Sequence, residues 1–410
     1  QQLDREVTLN VVSIGDRRQI GPFDVEFLTL THSIPEPNGL AIRTPLGMIF
    51  HTGDWKLDPN PTLGRNYDEN RIKELGDEGV LAMVCDSTNV FEEGESGSEE
   101  TVRQNLIEVV GEQTGRVAIT TFASNVARLV SCCVAAAEND RSVALVGRSM
   151  FRITDAARKV GLLDGVHFVA AEDAAHLPPE HVLYLCTGSQ GEPRAALARI
   201  ARGGHPHIEL GEGDTLLFSS RVIPGNEREI FDLQNAFADK GVKIITDRQR
   251  HIHVSGHPCR DELRRMYQWA KPQVAVPVHG ERRHIIEHAR YAQSLQVSEA
   301  VAPTNGDLIR LAPGPAEVVD EVPTGRFFLD GNMLTPEFSA GMAERKRLSW
   351  SGHISIAVAI DAKGRVKDGP FINARGFSEA DGRVADESLD QLDEAAEMAI
   401  EKLSARDIEN

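Results

Sequence analysis

The sequence has no pair of cysteines at the C-x-x-C spacing that structural zinc sites and redox centres use. Its five cysteines, Cys85, Cys132, Cys133, Cys186 and Cys259, are odd in number and scattered. That argues against a disulfide framework and for a reducing, cytoplasmic setting. No run of 18 apolar residues occurs, so no membrane span is expected, and the start is not signal-like. Basic residues are in deficit: 44 Lys and Arg against 62 Asp and Glu leave a net charge of −18. The deficit speaks against a broad nucleic-acid surface, because phosphate contacts need cations. It still permits a local site, since a metal centre can hold an anion while the outer surface stays acidic. Basic clusters occur at Arg148–Arg152–Arg158–Lys159, Arg248–Arg250 and Arg282–Arg283, and each reads more readily as a solvated face than as a groove. Residue 1 is Gln rather than Met, and the alternating VTLNVV follows almost at once, so the chain is expected to be a piece of something longer.

Histidine, by contrast, is concentrated. Five of the 14 histidines (251, 253, 257, 279 and 284) fall within residues 250–284. A lone histidine is most often structural or superficial; a cluster invites a metal, because neutral imidazole is the commonest zinc ligand. The stretch orders itself as a histidine-rich loop and a helix with apolar residues at Leu263, Met266 and Trp269–Ala270. The strand VAVPV follows, ending on His279 and Gly280. Active sites of layered α/β folds lie at such strand ends.

Upstream, residues 6–50 read as a β meander in which VTLNVV, VEFLTL and GMIF are strands separated by turn residues. His32 follows the second strand, and His51 and Asp54 follow the third. Another apolar strand ends on Asp86, and the acidic, Gly-rich stretch behind it marks a domain boundary. Residues 101–250 alternate helices and strands, the signature of a parallel sheet. Asn226 and Glu229 have capping-box spacing at the start of its last helix, with Gly241 at the end. Ser124-Asn125, Arg148-Ser149, Ser189-Gln190 and Ser219-Ser220-Arg221 follow strand ends, where backbone N–H groups, Ser and Arg suit phosphate. Each is weak alone, because Ser and Asn cap helices routinely. Beyond residue 300 come a strand near Asp307–Leu311, a Pro- and Glu-rich stretch at 313–324, a strand at 354–360, and an amphipathic helix at 387–404.

The segments THSIPEP, HTGDWKLD, CDSTN, TTFASN, GRSM, CTGSQGE, HVSGH and PVHGERRH occur in the order seen in the ribonuclease J family, and the likeness covers nearly the whole chain. This resemblance implies an α/β fold: a metallo-β-lactamase αββα sandwich, incomplete at its N-terminus, with an inserted parallel-sheet β-CASP domain and a small α/β C-terminal domain that is cut short. The implied domains are 1–90 and 251–325 for the two parts of the metallo-β-lactamase domain, 91–250 for the β-CASP domain, 326–352 for a linker and 353–410 for the C-terminal domain. By the same resemblance His32, Asp54 and His279 bind two zinc ions, with Asp54 bridging. Asp86 and His257 are catalytic. His253, Val254, Ser255, Gly256 and His257 form a substrate-phosphate loop, and Ser124, Asn125, Arg148 and Ser149 line an RNA path. The family's H-x-H-x-D-H motif does not occur in these 410 residues, and its four ligands are expected upstream of His32. Ala127 stands where many relatives have His.

The implied activity is zinc-dependent hydrolysis of RNA phosphodiesters, 5′-to-3′ on 5′-monophosphorylated RNA and also internal. The metals acidify water and offset phosphoryl charge, and His257 serves the leaving oxygen. A homodimer or homotetramer in the cytoplasm is the implied setting. Two other readings compete: a catalytically incomplete piece that binds RNA or assists assembly, and a small-molecule metallo-hydrolase. The long insertion between Asp86 and His257 argues against the latter, because a small substrate needs no such clamp.

Overall fold

The computed structural model describes residues 7–363, 366–375, 379–380, 383–384, 392, 394–396 and 398. The chain forms two compact units, Gln1–Glu321 and Val322–Asn410. In the first unit, β1 (Arg17–Ile20), β2 (Phe23–Thr29), β3 (Asn38–Thr44) and β4 (Gly47–His51) make an antiparallel meander. After α1 (Glu69–Glu78), β5 (Val80–Asp86) lies parallel to β4. The meander differs from expectation at its start. Residues 7–12 form no strand, and Val7, Leu9 and Val11 are exposed. Alternation yields a strand only where a ladder partner is at hand, and none lies beside this segment among the described residues.

The chain then leaves the sheet for a second layer. In order come α2 (Glu99–Gly111), β6 (Val117–Thr120), α3 (Val126–Ala137), β7 (Ser142–Val146), α4 (Arg148–Lys159), the one-turn α5 (Ala171–Ala174), β8 (Val182–Cys186), α6 (Ala196–Ala201), β9 (Thr215–Phe218), α7 (Glu227–Ala238) and β10 (Lys243–Thr246). The five strands are all parallel, in the order β10-β9-β6-β8-β7. Every residue of β6, β8 and β9 is buried, as a sheet covered on both faces requires. One face packs Leu106, Leu129 and Cys132, the other Leu197, Ile230 and Phe237. Asn226 does sit at the N-cap of α7 but makes no capping hydrogen bond, so the predicted capping box is absent; its amide reaches Gln190 Oε1 instead.

The return is α8 (Arg260–Ala270), β11 (Val274–Val278), α9 (Arg282–Ser294) and β12 (Glu299–Ala300). β11 inserts parallel to β5, giving one seven-stranded sheet ordered β1-β2-β3-β4-β5-β11-β12. Leu263, Met266 and Trp269 of α8 pack with Ile72 and Leu75 of α1 onto Leu28, Phe50 and Met83 of the sheet. The two helices cross at Gly76, where a Cβ would lie 2.1 Å from the Trp269 carbonyl oxygen, so only glycine allows this approach. The hairpin β13 (Asp307–Arg310) and β14 (Glu317–Glu321) closes the unit.

The second unit comprises hairpin β15 (Phe327–Asp330) and β16 (Met333–Pro336), α10 (Ala340–Ser351), hairpin β17 (His353–Ile360) and β18 (Val366–Arg375), and the short pair β19 (Glu379–Ala380) and β20 (Arg383–Val384). The stretch 326–352, expected as a linker, thus carries a hairpin and a helix. The helix expected at 387–404 falls mostly outside the described residues. Among the described residues no helix is long and apolar enough to cross a membrane.

Candidate metal centre and catalytic dyad

Three parallel strands, β4, β5 and β11, deliver the candidate residues to one sheet edge. β4 ends on His51 and turns through Gly53 (φ +61°) to Asp54; β5 ends on Asp86; β11 runs into His279. His279 itself has φ +57°, a backbone conformation that costs a β-carbon-bearing residue free energy and recurs at functional sites. His32 is brought alongside by the Thr31–Lys56 bridge, in which Lys56 N donates to Thr31 O (2.7 Å) and Thr31 Oγ1 to Lys56 O (2.8 Å). The loop 251–257 crosses the same edge.

Asp86 is fully buried, and its Oδ2 lies 2.6 Å from His257 Nδ1. Its Oδ1 accepts from Thr88 N (2.8 Å) and Thr88 Oγ1 (2.7 Å). Burial alone would raise this carboxyl; the hydrogen bond and charge of His257, with the Thr88 donors, hold it below its ordinary pKa. Burial would likewise lower His257, but Asp86 overrides it and raises the imidazole. A carboxylate fixed on Nδ1–H leaves Nε2 as the nitrogen able to exchange a proton.

His32 Nδ1 is 2.5 Å from Gly256 O. A carbonyl only accepts, so Nδ1 carries the proton and Nε2 keeps its lone pair. Burial holds His32 below its ordinary pKa, hence neutral. A Cβ on Gly256 would lie 2.6 Å from this ring and 2.7 Å from Ser33 Oγ, so the loop approaches His32 only through glycine. The His257 ring stands 4.9 Å from His32 and 5.3 Å from His279, centroid to centroid, and His279 Nε2 is 3.5 Å from Asp54 Oδ2. Two overlapping groups result, His32–Asp54–His257 and Asp86–His257–His279, each with donor atoms all within 4.8 Å of one another. Imidazoles with free nitrogens beside half-exposed carboxylate oxygens are a donor set that suits zinc. The hydrogen bond behind His32 is of the kind that orients metal-binding histidines. The residues present fit a metal.

The phosphate-loop candidates divide. Ser255 Oγ and His257 O both receive Asn89 Nδ2, at 2.8 and 2.9 Å, which fixes the loop beside Asp86. Val254 points into the core, leaving only its backbone for a ligand. His253 faces the buried Arg128, 3.4 Å from its Nη1; burial, then the guanidinium charge, push it down to about 3, so it stays neutral. In the second layer Asn125 caps α3, accepting from Arg128 N (2.9 Å), and is buried. Ser124, Arg148 and Ser149 are exposed at the C-terminal edge of the parallel sheet. Sequence reasoning missed Thr88 and Asn89 as individuals, although both stand in the CDSTN segment. It also missed Arg128, which donates to Glu99, to Ser219 Oγ (2.7 Å) and to Ile252 O (3.1 Å), pinning the histidine loop to the second layer.

A mixed sheet with a His/Asp cluster at its parallel-strand edge, interrupted by a doubly covered parallel layer, defines the metallo-β-lactamase fold with a β-CASP insertion. Comparison with known proteins agrees. Residues 114–237 match the family described as ribonuclease J, beta-CASP domain; residues 241–303 match the Zn-dependent metallo-hydrolase RNA specificity domain; residues 341–410 match the ribonuclease J C-terminal domain. A ribonuclease J of Sinorhizobium meliloti is 46% identical over 387 residues, covering 94% of this chain and 69% of the relative. Those of Corynebacterium glutamicum and Thermus thermophilus are 38% and 35% identical, over 99% and 96% of this chain and 56% and 68% of their own lengths. The chain therefore spans between 56% and 69% of the length of these relatives. A crystal structure of a protein of unknown function from Enterococcus faecalis V583 shares the fold at TM-score 0.50 and 17% identity, over 76% of this chain and 68% of that one. The chain belongs to the ribonuclease J family.

Proposed function

We propose that this chain carries the catalytic dyad and part of the metal centre of a zinc-dependent ribonuclease. It would trim 5′-monophosphorylated RNA from its 5′ end and also cut internally. The reading rests chiefly on the 2.6 Å contact between His257 and the buried Asp86, beside His32, Asp54 and His279. His32, Asp54 and His279 would hold zinc, which would supply Lewis acidity toward a phosphoryl oxygen. His257, oriented by Asp86, which also raises its pKa, would deliver a proton from Nε2 to the leaving oxygen. Ser255 and the backbone of 254–256 would receive the 5′ phosphate. The exposed Ser124, Arg148 and Ser149 would follow the strand beyond. A cytoplasmic homodimer or homotetramer is part of the same reading.

The test is zinc content together with cleavage of 5′-monophosphorylated RNA, measured on the complete gene product. Two zinc ions and mononucleotide release from the 5′ end are the expected outcome. RNA bound without metal or turnover would favour a non-catalytic RNA-binding part instead.

A further inference from the structure

Phe91 is 47% exposed on the loop that leaves β5. A single exposed aromatic means little by itself. This one is held rigidly, because the residues on both sides are anchored. Asn89 holds the histidine loop, the buried Val90 gives its carbonyl to Arg260 Nε (2.7 Å), and Glu92 N donates to Asn89 O while Glu92 O receives Arg260 N. The ring is flanked by two residues in the first turn of α9, a few positions after His279 and Gly280: Arg283, 5.5 Å from the ring centroid, and His284, edge-on at 5.3 Å. His284 in turn presses on Gly280, where a Cβ would lie 2.9 Å from His284 Cβ. The chain of contacts from His279 through Gly280 and His284 to Phe91 is continuous.

Charge supports a nucleic-acid ligand here despite the acidic sequence. Glu92, Glu93 and Glu95 of this loop are each paired, with Arg221, Arg260 and Arg265. Arg283 is exposed and, among the described residues, has no carboxylate partner, so its charge is available to a phosphate. A fixed, half-open aromatic face beside an unpaired guanidinium is how proteins hold single-stranded bases without reading their sequence.

We infer that Phe91, with Arg283 and His284, forms a stacking subsite for one nucleobase of single-stranded RNA, Arg283 taking the adjoining phosphate. This rests on the reading of the chain as an RNA-binding hydrolase. The test uses a phosphorothioate-linked, 5′-monophosphorylated oligoribonucleotide of about ten nucleotides, within the usual span of single-strand sites. An abasic residue is placed at each position in turn and affinity is read by fluorescence anisotropy. The wild-type chain loses affinity about tenfold when one particular base is removed, as loss of one stacked base requires. Phe91→Ala shows the same loss with every oligonucleotide and no longer distinguishes that abasic one. Phe91→Trp keeps the distinction. An unchanged melting temperature in each variant confirms folding, as the exposed ring leads one to expect. If the wild type binds RNA but Phe91→Ala binds it equally, the subsite is wrong and the RNA reading survives. If the wild type binds no RNA, both fall.

Discussion

Two parallel-strand edges in this molecule look alike in sequence and behave differently in structure. At the edge of β4, β5 and β11, polar residues keep free donor or acceptor atoms: His32 Nε2, Asp54, His257 Nε2 and His279 converge with little between them. At the edge of β6 and β9, polar residues consume one another. Asn125, Glu99, Arg128, Ser219 and His253 interlock, and Arg128 is 0% exposed. A strand end followed by polar residues is therefore no site in itself. What separates the two edges is whether hydrogen-bond capacity is left over once the fold is satisfied.

The largest effect should come from the first edge. His257→Ala removes the proposed proton donor but none of His32, Asp54 or His279. Turnover should fall 10²- to 10⁴-fold, the usual worth of a general acid, with zinc content unchanged. Loss of zinc would move His257 into the metal's ligand set and redraw the first edge.

At the second edge, Arg128→Met should leave Glu99 buried without its partner. Burial would then raise that carboxyl, which Arg128 now holds below its ordinary range. Breaking such a pair costs about 3–5 kcal/mol, read as a drop in the urea midpoint. The same variant should slow turnover, because the loop bearing His257 loses one of the two donors, Arg128 and Ser219 Oγ, that hold it at Ile252 O. A variant that is destabilised yet fully active would show that the two edges are independent.

Each edge also hides a neutral histidine. His288, behind Asp86, is held between Ser87 Oγ (2.8 Å) and Tyr267 OH (2.9 Å), and burial pushes it down to about 4. His253 is its counterpart beside Arg128. Both folded-state values lie below the unfolded one, so the unfolded chain takes up protons that the folded chain refuses. Stability is then complete above about pH 6.5 and is lost as pH falls toward 4, by up to about 3 kcal/mol for His288 alone. Urea midpoints across that window should fall less steeply for His288→Gln. An unchanged slope would assign the acid sensitivity to the second edge.

Much of this was legible in advance, for physical reasons. The helix–strand alternation of 101–250 carries both the period and the burial of a parallel layer, and its strands fall where the apolar runs VAIT, SVALV, VLYLC and TLLF stand. His32, Asp54, Asp86 and His279 stood out because they follow apolar strand-like runs and His257 because it lies in a histidine cluster, while their roles came from the family resemblance. VTLNVV misled because alternation records a half-buried face without saying which strand will lie beside it. Arg128 was invisible because its role depends on partners from residues 99, 219 and 252, and the ordinary place of an arginine is the surface. Gly76 and Gly256 likewise acquire meaning only from what stands opposite them.

The smallest effect sharpens the comparison most. Ser124 belongs to the second edge by position but is exposed, as Arg148 and Ser149 are, unlike its neighbour Asn125. Nothing buried depends on it, so Ser124→Ala should change stability by no more than about 0.5 kcal/mol, the range of ordinary surface substitutions. Asn125→Ala removes the cap of α3 and the hydrogen bond from its amide to Glu99 Oε1, and should cost about 1–2 kcal/mol. If the outer rim of the second edge guides RNA, Ser124→Ala weakens RNA binding while the melting curve stays put. Asn125→Ala does the reverse in proportion, moving the melting curve more than the affinity. Equal affinities for wild type and Ser124→Ala would leave the second edge wholly structural, and the path of the RNA would then lie along the first edge alone.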